Sequence, residues 1–282
     1  MINKRKLVSN LWQNRSARAG LLIITVVFIC SIFAPLLAPY GPHDQNLELL
    51  SKPPSLLHPL GTDFFGRDLL SRLIFGARVS LGVSLSAAMI AVVFGMSVGV
   101  ISGFLGGWVD RILMRIVDVL LGFPRIFIIL LAMGFGRPSV WLLIMVLGFL
   151  SWMEIARIVR GEVLIIREMA YLKSAIALGL SKSRIIWRYI LPNISGPIIV
   201  STTLLMGTMI IIEASLSFLG LGVQPPMASW GAILNQGRLD PLGAWWISTF
   251  AGLAIVITVV GINLAGDGLR DMLDPKSYLP KP

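Results

Sequence analysis

Residues 19–42 contain no Asp, Glu, Lys or Arg, and neither does the longer run 79–109. A helix that crosses about 30 Å of hydrocarbon needs about 20 such residues, so two uninterrupted runs already commit the chain to a bilayer. Four further candidates follow along the sequence. The expected spans are residues 19–42, 79–109, 112–136, 138–156, 192–213 and 242–266. The third is the least regular. It contains Arg115, Asp118 and Arg125, its charge-free core is only residues 126–136, and it spans only if a tilt leaves Arg115 and Asp118 at the membrane surface. The bulk composition agrees. Apolar residues make up 56% of the chain and charged ones 13%, whereas soluble domains carry about 25% charge. A soluble globular enzyme is excluded.

The charges outside the runs fix an orientation. With residues 1–18, the second and fourth connections and residues 267–282 inside, eighteen of the 24 basic residues face one side and six the other. Among the eighteen are Lys4, Arg5, Lys6, Arg15 and Arg18. The acidic residues divide eight to six, so the inner face carries the whole excess of +10. Basic loops stay cytoplasmic, which places both termini inside. Anionic lipid at that surface accounts for the charge, and no nucleic-acid partner is implied. Residues 19–42 also exceed a secretory h-region and end in Pro35, Pro39 and Pro42 without a small-residue cleavage site, so they read as an uncleaved first span.

Several chemistries have no residues to carry them. The sequence has no Gly-Lys pair and so no P-loop. Its only histidines, His43 and His58, lie in the first outer connection, with no His-Glu-x-x-His pattern and no partner for a serine nucleophile. The lone Cys30 excludes a disulfide framework. Carriers driven by protons or ions use ionisable groups within the bilayer; here, with Arg115 and Asp118 at the surface, at most Arg125 and Glu213 could serve, and both are ambiguous. Energy for transport would therefore come from another chain.

The fourth connection is patterned. Val163, Ile166, Ala170, Leu172, Ala175 and Leu178 recur near helical spacing, which predicts a helix with an apolar stripe. Gly179 breaks it, Ser181 can cap a second short helix reaching Arg188, and Pro192 opens the next span. Such a helix either lies on lipid or packs into a groove on a soluble partner. Two outer stretches also stand out. Asp63 with Arg67 and Asp68 with Arg72 are spaced i,i+4, the pattern of a short outer helix with two surface ion pairs of about 0.3–0.5 kcal/mol each, or of a contact with a delivery protein. Glu213, about 31 Å above Pro192 along a helix, falls near the outer boundary, as a solvated loop anchor or as a lining of the substrate path.

Three stretches resemble a known family. Tyr171-Leu-Lys-Ser-Ala-Ile-Ala-Leu-Gly-Leu-Ser with Arg184-Ile-Ile-Trp-Arg-Tyr-Ile-Leu-Pro-Asn193 is similar to the EAA loop of permease subunits in bacterial ABC importers. Ala175, Gly179, Leu191 and Pro192 match that pattern, while Lys173 stands where Glu is usual and Ser174 where the first Ala is usual. His58-Pro-Leu-Gly-Thr-Asp-Phe-Phe-Gly-Arg-Asp-Leu-Leu-Ser-Arg72 resembles the outer loop of the C-type permease of dipeptide, oligopeptide and nickel importers. Glu213-Ala-Ser-Leu-Ser-Phe-Leu-Gly-Leu-Gly-Val-Gln-Pro-Pro, Ser229-Trp-Gly231 and Gly266-Asp-Gly-Leu-Arg-Asp-Met-Leu-Asp-Pro275 resemble the same group.

The resemblance implies an all-α integral membrane protein of the bacterial plasma membrane with the type I ABC importer permease fold. It implies a permease domain over 19–266 whose loop 157–191 forms cytoplasmic coupling helices, flanked by cytoplasmic segments 1–18 and 267–282. It implies a pore-forming, non-enzymatic subunit with no cofactor of its own. The implied partners are a homologous second permease, two cytoplasmic ATPases that hold ATP and Mg, an extracytoplasmic substrate-binding protein and the lipid membrane. The expected ATPase contact is Lys173, Ser174, Ala175, Leu178, Gly179, Leu180, Leu191 and Pro192; the expected outer loop or gate is Asp63, Arg67, Asp68, Arg72 and Glu213. Peptides are the expected substrate, with nickel or metal chelates or glutathione on the same scaffold as the alternative, and an ion-coupled carrier or a structural membrane partner as competing classes.

Overall fold

Backbone amides in hydrocarbon find no water, so a chain built from long apolar runs has to satisfy them within helices. The computed structural model describes residues 15–273, and among them there are helices, turns and loops but no strand. Residues 1–14 and 274–282, including Lys4, Arg5 and Lys6 and the end of the expected tail, lie outside the described residues. Five helices are long and apolar enough to cross a membrane, or six when one bent pair counts as a single span.

The first span is α1 (Arg15–Ile32), followed by a turn at Ala34–Leu37, so the helix stops short of residue 42. The prolines at 35, 39 and 42 explain this, because each lacks the amide a continuing helix needs. The second, α2 (Leu69–Leu105), starts ten residues before the expected position. Asp68 caps it by accepting from the Ser71 amide at 2.8 Å. Its extra turns bury Leu69, Leu73 and Ala77 at 9% exposure or less. The third expected span is two helices, α3 (Gly107–Leu121) and α4 (Arg125–Phe135), bent by 75°. Gly122, Phe123 and Pro124 form the break.

The fourth, α5 (Val140–Phe149) with α6 (Trp152–Arg167), forms one candidate span from Val140 to Arg167. Residues 157–167, expected in the coupling loop, therefore continue the helix of the span. Two short helices, α7 (Ala170–Ala177) and α8 (Lys182–Ile185), lead through a π turn at Ile186–Ile190 into α9 (Leu191–Phe218). Helix runs without a sharp bend from Lys182 to Phe218. Pro192 does not separate the two pieces as expected, because the Leu191 amide bonds back five residues to Ile186 in the π turn that precedes it. After a loop come the short α10 (Trp230–Gly237) and the last span, α11 (Trp245–Leu273).

Helices in lipid associate through close packing rather than hydrophobic exclusion, and small residues permit the approach. Gly95, Gly99 and Gly103 of α2 face Ile155, Val159 and Val163 of α6 so closely that a Cβ on Gly99 would stand 2.6 Å from the Ala156 carbonyl and 2.7 Å from the Val159 Cβ. Gly20 of α1 meets α11 in the same way, 2.5 Å from the Ala265 amide nitrogen. One core gathers α2, α5, α6 and α9 around Ile129, Leu143, Leu147 and Met209; another, at the end that the charges assign to the outside, packs the start of α2 against Trp230, Ile233, Trp246 and Ile247.

Several charges in and beside the irregular third span pair with residues on α6 or at its start. Asp110 receives Arg160 at 2.5 and 2.7 Å, and Asp118 receives Arg157 at 2.5 Å. Arg125, at the first turn of α4, hydrogen-bonds Ser151 and lies 3.6 Å from Glu154. The break places these residues where they can pair instead of facing acyl chains.

Candidate functional site: an exposed helical segment and a clasped outer mouth

At the inner end, the segment between α6 and α9 projects as a helix, a turn and a second helix. The expected apolar stripe is split. Val163 and Ile166 belong to α6, a break at Glu168 and Met169 intervenes, and only Leu172 and Ala175 of the following turns are buried. Ala170 and Leu178, expected on the same stripe, are exposed. Gly179 ends α7 with φ of +73°, and the amides of Gly179 and Leu180 return to the carbonyls of Ile176 and Ala175 at 2.9 and 3.2 Å. This is a Schellman cap, which favours glycine because a side chain is strained at positive φ. Leu180 packs on the core. Ser181 then caps α8 by accepting from the Arg184 amide.

What the segment leaves outside is apolar. Leu178 is 81% and Trp187 72% exposed, with Tyr171 and Ile176 beside them in sequence and also exposed. Tyr171 and Tyr189 stack at 6.5 Å between ring centres, tying α7 to the π turn. Exposed large apolar groups on the polar side of a membrane protein mark a contact surface. Helical periodicity does not single out Trp187, since it marks residues that point inward. Lys173 pairs with Glu168 at 2.8 Å, and the ammonium holds that exposed carboxyl below the usual glutamate range. Ser174 and Pro192 are exposed and Leu191 is half-buried.

At the outer end, of the two expected ion pairs Asp63–Arg67 forms at 2.7 Å but is buried rather than on the surface, and Asp68–Arg72 does not form. Asp63 is fully buried; it accepts from the Phe65 and Arg67 amides at 2.9 and 3.0 Å and from Arg67 Nε at 2.7 Å. Arg72, 2% exposed, has its Nε 3.4 Å from Asp63 and donates to the Pro42 carbonyl at 3.4 Å. Asp68 pairs not with Arg72 but with His58 Nδ1 at 2.9 Å, while its other oxygen caps α2. The loop folds back because Asp63 and Asp68 each organise backbone amides, and Trp246 Nε1 donates to the Thr62 carbonyl to hold it on α11. No outer helix forms over residues 63–68.

Glu213 is not solvated either. It is fully buried on α9, where Ser80 of α2 donates to Oε2 at 3.0 Å and Ser217 to Oε1 at 2.7 Å. Ser217 is four residues away on the same helix, but Ser80 lies 133 positions away and no sequence pattern links it to Glu213.

With this geometry in place, similarity to known proteins is specific. Residues 91–277 match the binding-protein-dependent transport system inner membrane component family, and residues 6–54 match the N-terminal TM domain of oligopeptide transport permease C. The dipeptide transport system permease protein DppC of Alkalihalophilus pseudofirmus is 40% identical over 272 residues, 96% of this chain and 90% of that protein. The oligopeptide transport system permease protein OppC of Bacillus subtilis is 40% identical over 264 residues, covering 94% and 87%. The glutathione transport system permease protein GsiD of Pectobacterium atrosepticum is 40% identical over 268 residues, covering 94% and 88%. In fold, the chain is similar to an inward-facing form of the MetNI methionine ABC transporter, with a TM-score of 0.59 at 19% identity over 72% of this chain and 97% of that one. The chain belongs to the binding-protein-dependent transport system inner membrane components and is a multi-pass inner-membrane permease.

Proposed function

We propose that this chain forms one half of the membrane pore of an ATP-driven importer that takes up peptides from an extracytoplasmic binding protein. The observation that carries the peptide assignment is the 40–41% identity, over 94–96% of the chain, to permeases for dipeptides and oligopeptides. The partners in this reading are a homologous second permease and two cytoplasmic ATPases, which hold ATP and Mg, and both termini are cytoplasmic. Alternating access supplies the mechanism. ATP draws the ATPases together, the segment Ala170–Ala177 to Ile190 moves with them, the spans turn to open outward, and hydrolysis resets the pore.

Of the expected set, the exposed Lys173, Ser174, Leu178, Gly179 and Pro192 form the contact with the ATPase, with Leu178 as the projecting apolar anchor and Trp187 added, while Ala175, Leu180 and Leu191 support it from the permease side. Leu172 and Ala175 anchor the segment to the permease from beneath, and Gly179 sets the angle at which it projects. At the other end, Asp63, Arg67, Asp68 and Arg72 brace the outer loop from within instead of touching a delivery protein directly. Glutathione is a second substrate reading, favoured by the 40% identity to a glutathione permease.

The test is ATPase activity of the purified complex in lipid, with binding protein that is empty, loaded with di- to hexapeptides, or loaded with glutathione. Stimulation by peptides is the expected result. Stimulation by glutathione alone moves the substrate to that class. A chain that purifies without an ATPase and still transports overturns the reading.

A further inference from the structure

The carboxyl of Glu213 is the centre of a relay that ends on the backbone of the outer loop. Two serines donate to it, Ser80 of α2 at 3.0 Å and Ser217 one turn further along α9 at 2.7 Å, and Ser229 at the cap of α10 is buried with them. Each of the three hydroxyls accepts one backbone amide. Ser80 takes the Trp230 amide at 3.2 Å, Ser217 the Val223 amide at 3.0 Å and Ser229 the Ala232 amide at 3.2 Å. All four side chains are 2% exposed or less. Around them the packing is tight: a Cβ on Gly231 would stand 2.5 Å from the Ala214 carbonyl, and Trp230 Nε1 donates to the Leu73 carbonyl at 3.0 Å. A second Schellman cap starts the loop, with Gly220 at φ of +81° and the Leu221 amide returning to Leu216 at 2.8 Å.

Burying a carboxyl costs free energy that an apolar residue would not, and a loop can be held by packing alone. What this group adds is a directional link between three elements remote in sequence. Helix runs without a sharp bend from Lys182, at the projecting segment, to Phe218, one turn past Glu213, a rod of 37 residues and about 55 Å. We propose that Glu213 is the positioning residue that makes the outer segment 219–237 ride with α9 and α2, so that displacement of the projecting inner segment is transmitted to the outer mouth. This rests on the ATP-driven reading above.

The experiment uses the whole importer in proteoliposomes and reads peptide imported per ATP hydrolysed. Glu213→Ala is expected to assemble and hydrolyse ATP while import per ATP falls about tenfold, the scale of one buried, charge-assisted hydrogen bond. Glu213→Gln falls between, because its amide nitrogen only donates and confronts a hydroxyl that also needs an acceptor. Ser80→Ala lowers the same ratio, and Ser80→Ala with Glu213→Ala is no worse than Glu213→Ala alone, since both break one link.

A second readout follows the loop itself. With Cys30→Ala removing the native thiol, Gln224→Cys is labelled by a membrane-impermeant maleimide in nucleotide-free and vanadate-trapped complexes. The rate differs between the two states when Glu213 is present and is the same in both for Glu213→Ala. Wild-type import per ATP with state-dependent labelling in Glu213→Ala overturns the inference, as does loss of import and hydrolysis in strict proportion to complex yield in both Glu213→Ala and Ser80→Ala. A wild-type complex that imports peptide without hydrolysing ATP overturns the importer reading instead, which keeps the two failures apart.

Discussion

Replacing Gly179 isolates backbone geometry from packing. The residue sits at φ of +73°, and a Cβ there would meet no heavy atom within 4 Å. A side chain therefore costs only what the left-handed conformation costs, about 1–2 kcal/mol for an ordinary L-residue and less for Asn. At 1.4 kcal/mol per factor of ten, Gly179→Ala depletes the projecting conformation about five- to thirtyfold relative to any alternative arrangement. Gly179→Pro is far worse, because its φ is fixed near −65° and it removes the amide that bonds Ile176. Expected transport follows the order Gly, Asn, Ala, Val, Pro, with Pro inactive. The assay is peptide import and peptide-stimulated ATP hydrolysis in proteoliposomes at matched amounts of inserted permease. Size does not set this order, since Asn is larger than Ala. Ala outperforming Asn, or Pro transporting at the wild-type rate, refutes the argument.

Two further perturbations test the fold beneath the site. Asp63→Ala leaves Arg67 and Arg72 buried without their acid, a loss of about 3–5 kcal/mol that Asp63→Ala with Arg72→Met partly restores; hydrogen exchange over residues 44–68 reports it, and unchanged protection contradicts the buried cluster. Gly99→Ala forces α2 from α6 and lowers the melting midpoint in detergent by the equivalent of about 1–3 kcal/mol, whereas Gly82→Ala on the same helix, with nothing within 4 Å of its Cβ, is neutral or stabilising; equal effects refute the close packing.

Lys173 stands where the resemblance leads one to expect Glu, and it makes an exposed pair with Glu168 five residues away. Removing that pair leaves the fold of the segment to Leu172, Ala175 and the Gly179 cap, so the fold does not dictate its charge. The outer residues offer no such freedom, because their charges are buried against one another.

The sequence determined that this chain crosses a membrane several times as helices, because hydrocarbon admits neither free backbone amides nor unpaired charges, and charge-free runs of sufficient length are visible in one dimension. It also determined where the inner segment breaks, since Gly179 is a local demand for positive φ. Only the tertiary structure decided where the helices end and whom the charges meet. Leu69–Leu105 extends through Arg72 and Arg78, which a count of charge excludes from a span, because Arg72 finds Asp63 and the helix packs on Trp230 and Trp246. Arg115, Asp118 and Arg125 make the third span irregular in sequence, and in space it is a bent pair of helices in which Asp118, Arg125 and the neighbouring Asp110 find partners on α6 about 30 to 50 positions away. Glu213 has the same character. A carboxylate near the end of an apolar helix reads as solvated until Ser80 is brought from α2 to join Ser217 around it, and the cost of burial depends on partners that linear order does not reveal.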